Sequence, residues 1–158
     1  MIVPILMGSA ADLEHAQKIA SALEAFGIPS EIRVASAHKT LEHLMAVLAE
    51  YEARGEPRVY ITVAGRSNAL SGAVDARVTA PVIACPPYAD AFGGADVFSS
   101  LRLPSGVAPA LVLEPANAAL LAAKILALAD PFVGARVEQA QREGRQKVID
   151  ADCSLRAP

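Results

Sequence analysis

A histidine, a lysine and several small hydroxyl and amide side chains fall at three junctions between apolar runs and amphipathic segments. The first is Met7-Gly8-Ser9-Ala10-Ala11-Asp12, and the second is Ala35-Ser36-Ala37-His38-Lys39-Thr40. The third, Gly65-Arg66-Ser67-Asn68-Ala69-Leu70-Ser71-Gly72, follows the β-branched and aromatic run Val59-Tyr60-Ile61-Thr62-Val63. Glycine and small polar residues after a buried strand leave the backbone open to a ligand, with Ser67 and Asn68 able to hydrogen-bond it. Three such loops imply one shared cleft outside the carboxyl ends of a parallel sheet. Of three histidines, only His38 stands in such a loop; His15 and His43 fall in helical segments among polar neighbours and are expected at the surface. An imidazole beside a cation favours its neutral form and can carry a proton near neutral pH.

Gly8-Ser9 before a helix offers N–H groups, a hydroxyl and the positive helix end to a phosphate. Asp12 would repel a phosphate but suits the hydroxyls of a ribose. The loop lacks the lysine and glycines of a P-loop and the three glycines of a dinucleotide fingerprint, which disfavours nucleoside triphosphate and NAD. Gly65-Arg66-Ser67-Asn68-Ala69 approaches the nucleophile elbow G-x-S-x-G but ends in alanine. His38 also precedes Ser67, whereas a hydrolase of that kind places its histidine last. A serine hydrolase is one alternative that the residues leave open, and a small-ligand-binding domain without catalysis is another. A proton carrier in the cleft argues against the second.

The elements that must position these loops alternate regularly. Strands are expected at 2–7, 31–34, 58–63, 82–85 and 110–113. Asp12 is expected to cap a helix carrying Leu13, Ala16, Ile19, Ala20 and Leu23, stopped by Gly27 and Pro29. Thr40 is expected to cap a second, with Leu41, Leu44, Val47, Leu48 and Tyr51 on one face. A short helical turn at 70–77, a partly helical 96–103, a long helix opened by Glu114-Pro115 and running to Leu128, and a final helix at 132–150 complete the series. Pro86-Pro87 forces an extended loop in which one prolyl bond is open to the cis form. The rhythm gives a three-layer α/β/α fold around a central parallel sheet, flavodoxin-like or Rossmann-like. The whole chain, 1–158, reads as one domain, with a core at 1–128 and a helical extension at 131–158 that packs on a neighbouring subunit.

Hydrophobic residues make up 53% of the 158 and charged residues 20%, with a mean hydropathy of +0.35. That apolar balance fits a homo-oligomer with surface hidden between subunits. A formal net charge of −3 supplies no basic field for nucleic acid. No stretch of 18 apolar residues is present to span a membrane. The first seven residues resemble no secretory leader, so the expected compartment is the cytoplasm. Cys85, closing an apolar strand, reads as a buried small hydrophobe, and Cys153 as incidental in a polar tail. No metal-ligand spacing is present.

Together these motifs resemble the purine-biosynthetic carboxylases of aminoimidazole ribonucleotide. The matching residues are Leu6-Met7-Gly8-Ser9 with Asp12, Phe26-Gly27-Ile28-Pro29, Ser36-Ala37-His38-Lys39 and Ala64-Gly65-Arg66-Ser67-Asn68. The runs Ser99-Ser100-Leu101-Arg102-Leu103-Pro104-Ser105-Gly106 and Asn117-Ala118-Ala119-Leu120-Leu121-Ala122 match as well. The family has two branches. In the mutase, arginine follows the histidine and the third loop carries a second histidine. In the carboxylase, which uses carbon dioxide directly, lysine follows the histidine and the loop resembles Gly-Arg-Ser-Asn-Gly-Leu. Lys39, and Ala69 where the mutase has its loop histidine, place the resemblance with the carboxylase. It implies a carboxy-lyase needing no cofactor, metal, biotin or ATP, with His38 as general acid and base. Ser9, Asp12, Ser36, Lys39, Gly65 and Ser67 would hold substrate, with Gly8, Arg66, Asn68 and Leu70 as further candidates. It also implies an octamer in which the 99–106 segment reaches a neighbour, and an apolar wall near Cys85-Pro86-Pro87 that retains carbon dioxide.

Overall fold

The computed structural model describes residues 1–156; the last two residues of the expected extension lie outside the described residues. Five strands form one sheet in the order β2-β1-β3-β4-β5, every neighbouring pair parallel. They are β1 (Val3–Met7), β2 (Ser30–Val34), β3 (Tyr60–Val63), β4 (Val82–Ala84) and β5 (Ala110–Leu111). This is the flavodoxin-like order, and its direction reverses between β1 and β3. Because β1, β3 and β4 are covered on both faces, they read as continuous apolar runs and are buried throughout.

Two apolar layers clothe the sheet. On one face lie α1 (Leu13–Ala25), α4 (Pro115–Leu126) and the start of α5 (Pro131–Arg156). Ala118, Ala119, Ala122 and Ala123 are fully buried on α4, and their small side chains let it close on Ala16, Ile19 and Leu23 of α1. On the other face, α2 (Leu41–Glu52) and α3 (Ala69–Asp75) bury Leu44, Val47, Leu48, Leu70 and Val74. Each large aliphatic side chain so buried contributes about 2 kcal/mol of transfer free energy. Tyr51 and Tyr60 meet there edge to face, ring centroids 6.2 Å apart, and their hydroxyls donate to Glu31 and Glu52.

Helix ends depart from expectation in informative ways. Ser9, not Asp12, provides the N-terminal cap: its hydroxyl accepts the Ala11 N–H at 3.2 Å and opens a 3-10 turn, Ala10–Asp12, before α1. Asp12 makes no capping bond. Thr40 does not cap α2 either, because its hydroxyl accepts the Ser36 N–H at 3.0 Å and so closes the preceding loop. Leu13 and Leu41, expected on buried faces, are exposed; each is the first residue of its helix. Gly27 ends α1 with φ 67°, and its missing Cβ leaves room for the Arg136 guanidinium of α5, which a side chain would meet at 2.6 Å. Pro86 and Pro87 follow trans bonds, as do all described residues. β5 stops at Leu111, two residues short of expectation, and α5 runs six residues further than expected. The early part of α5 packs on its own chain through Val133 and Val137, while Phe132 stays exposed.

Candidate active site

The reversal of strand order leaves a crevice at the carboxyl ends of β1 and β3, and the three polar loops line it. Gly8 ties the strand ends together, its N–H donating to the Val63 carbonyl at 3.0 Å, while the Ala35 N–H donates to Met7 at 2.8 Å. The resulting cleft has a volume of about 670 Å³. Gly8, Ser9 and Asp12 line it from the first loop; Ser36, His38 and Lys39 from the second; Gly65, Arg66, Ser67 and Leu70 from the third. Ten of the eleven candidate residues read from the sequence thus share one cleft.

The second loop is held from within. The Thr40 N–H donates to the Ser36 carbonyl at 3.0 Å, and the Lys39 N–H to the Ser36 hydroxyl at 3.3 Å. Those bonds fix a tight turn whose tip presents the His38 and Lys39 side chains to solvent and to the cleft. From the first loop, Asp12 is half-buried, and burial raises its carboxyl above the ordinary 3.8, with His15 pulling the other way. A carboxyl left without a capping role is available to hydroxyl groups of a ligand.

Asn68 is the candidate that does not line the cleft. It is 3% exposed; its Oδ1 accepts the Ser71 N–H at 3.2 Å, capping α3, and its Nδ2 donates to the Ser100 hydroxyl at 2.8 Å. An amide at a helix start next to a buried hydroxyl satisfies the loop's own donors first. The expected wall of Cys85-Pro86-Pro87 is also only partly present. Pro87 lines the cleft, together with Tyr88 and Ala89, while Cys85 is buried beneath. Tyr88 and Ala89 were missed by sequence reasoning, which saw only an extended segment after the prolines.

His15 is not a surface residue. Half-buried on the first turn of α1, it lines a second cavity of about 400 Å³ with Lys18, Pro86, Asp96 and Glu114. Pro87 and Tyr88 form the partition between this cavity and the cleft. Burial pushes the His15 imidazole below its ordinary 6.5, against the pull of Asp12 and Glu114. The polar sequence neighbours that pointed to solvent gave no sign that β4 ends against this helix. His43 is exposed, as expected. Among the described residues no cluster of three or more His, Cys, Asp or Glu could hold a metal ion, and no helix is long and apolar enough to cross a membrane.

Residues 2–147 match the model of the AIR carboxylase family. The phosphoribosylaminoimidazole carboxylase of Treponema denticola is 56% identical over 155 residues, covering 98% of both chains. That of Archaeoglobus fulgidus is 57% identical over 152 residues, covering 96% of this chain and 83% of the relative. Both carry the carboxylase name rather than that of the mutase branch. The crystal structure of Treponema denticola PurE superposes with a TM-score of 0.97 at 56% identity, covering 99% of each chain. The chain is thus an enzyme of the carboxy-lyase class and belongs to the AIR carboxylase family.

Proposed function

We propose that the chain carboxylates 5-aminoimidazole ribonucleotide with carbon dioxide, reversibly, giving 4-carboxy-5-aminoimidazole ribonucleotide in purine biosynthesis. The observation that carries this reading is His38, the one imidazole lining the cleft. The exocyclic amino group makes the ring carbon nucleophilic. That carbon attacks carbon dioxide, a carbon–carbon bond forms, and one C=O electron pair moves onto oxygen. The neutral His38 imidazole then takes the proton from the same ring carbon, and aromaticity returns. In reverse, the imidazolium protonates that carbon and carbon dioxide leaves. The ring is electron-rich enough to react unaided, so the reading calls for no ATP, biotin, metal or other cofactor.

The remaining cleft residues hold substrate in this proposal. Ser9, Ser36 and Lys39 offer hydroxyls and a cation to the anionic ribonucleotide, Asp12 meets ribose hydroxyls, and Gly65 and Ser67 bound the ring. Gly8, Arg66 and Leu70 shape the same walls. The single domain works within a homo-oligomer, an octamer by family resemblance, in the cytoplasm. Exposed Leu128, just before α5, and Phe132, in its first turn, support that assembly. The test is a product assay with purified protein, aminoimidazole ribonucleotide and bicarbonate, without ATP. Formation of the 4-carboxy product is expected, with no turnover of the N-carboxylated isomer. Efficient conversion of that isomer, with carbon dioxide ignored, would instead support the mutase reading.

A further inference from the structure

Arg66 is the one non-glycine residue with a left-handed backbone among the described residues, at φ 57°. A side chain makes that conformation unfavourable, and it persists only where the surroundings over-determine it. The surroundings here come from one short segment, the 3-10 turn Ala95–Ser100. The Arg66 N–H donates to Asp96 Oδ2 at 2.9 Å. The Ser99 hydroxyl accepts the Asn68 N–H at 3.0 Å. Its own proton has two acceptors in reach, the carbonyl of Arg66 at 3.1 Å and that of Asp96 at 2.8 Å. Asp96 Oδ2 also stands where a Cβ on Gly65 would come within 3.5 Å. Neither Asp96 nor Ser99 lines the substrate cleft; Asp96 faces the second cavity.

We propose that Asp96 and Ser99 are positioning residues that hold Arg66 left-handed, and thereby set where Gly65 and Ser67 meet the substrate. This rests on the substrate-holding role proposed above for that loop. A specific consequence follows. Glycine adopts φ near +57° unaided, so the clamp is dispensable with glycine at position 66 and needed with arginine or alanine there.

The test measures kcat/KM for Asp96→Ala in three backgrounds: Arg66 intact, Arg66→Ala and Arg66→Gly. Misplaced binding loops lose rate steeply, so a loss of about tenfold or more is expected in the first two. In the Arg66→Gly background the same change should cost less than about twofold. Asp96→Asn retains an acceptor without the charge and should lose only about threefold. Equal losses in all three backgrounds would overturn the proposal, as would no loss with Arg66 intact. A loss that disappears with Arg66→Ala would also overturn it, since Asp96 would then act on the guanidinium. Thermal unfolding of the ligand-free protein reads the same cycle without any assay: Asp96→Ala should lower Tm by about 3 °C, except in the Arg66→Gly background. That pattern stands or falls separately from the carboxylation reading, which the wild-type product assay decides.

Discussion

The Nε2 of His15 lies 3.4 Å from the Sγ of Cys85, joining the first turn of α1 to the end of β4 across 70 residues of sequence. The thiol also faces the Leu113 carbonyl, at 3.5 Å. Burial, with the Glu114 carboxylate adding to it, pushes Cys85 up to about 12. A buried, protonated thiol is a poor nucleophile, whereas Cys153 is exposed. Iodoacetamide at pH 8 should therefore label the native protein once, at Cys153, as read by mass spectrometry of its peptides. Labelling of Cys85 at a comparable rate would contradict the packing described for β4.

The same pair gives a pH dependence. The folded state holds the His15 ring below its ordinary 6.5, so near and below that pH the unfolded chain binds a proton that the folded chain resists. Stability should be full above about pH 6.5 and decline as pH falls through that value. His15→Asn should flatten this slope between pH 7.5 and 5.5, measured as the urea midpoint at each pH. The burial-raised carboxyl of Asp12 works in the opposite sense at lower pH, so the difference between wild type and variant is the quantity to compare. An unchanged slope would mean that His15 titrates freely.

Asn68 should prove structural rather than ligand-binding. Asn68→Ala removes the cap on α3 and the partner of the Ser100 hydroxyl, at a cost of about 2 kcal/mol in chemical denaturation. If stability is unchanged and only KM for the ribonucleotide rises, the side chain contacts substrate instead.

Assembly makes a prediction of its own. Leu128, Phe132 and Leu155 are more than four-fifths exposed in the single chain, a surface that subunit contacts would cover. Sedimentation should show a species several times 16.4 kDa, and Phe132→Asp should shift it toward smaller forms. An active monomer of 16.4 kDa would contradict the proposed oligomer.

Much of this was legible in the chain, and the reason is local. Parallel strands covered on both faces are short apolar runs, and the loops that follow them carry their polar residues in sequence, so Ser9, Ser36, His38, Gly65 and Ser67 could be placed together because each loop leaves the carboxyl end of a strand in one parallel sheet. What escaped depends on pairs distant in sequence. His15 meets Cys85, 70 residues on, and the conformation of Arg66 rests on Asp96, 30 residues on. The cap falls to Ser9 rather than Asp12 because either residue can cap a helix, and only the inserted 3-10 turn decides between them. Tyr88 follows two prolines that fix the local backbone without saying where the chain turns next.

The central claim is that His38 carries the proton, and His38→Asn tests it most directly. Asparagine keeps size and hydrogen bonding but cannot exchange a proton in this range. Turnover should fall by roughly 10²–10⁴-fold, while binding of aminoimidazole ribonucleotide, measured by calorimetry, changes little. No other imidazole lines the cleft to take its place, so His43→Asn should leave turnover near wild type. If His38→Asn retains more than about a tenth of wild-type turnover, a loss far smaller than removal of a general acid–base produces, the proton carrier is another group and the account is wrong.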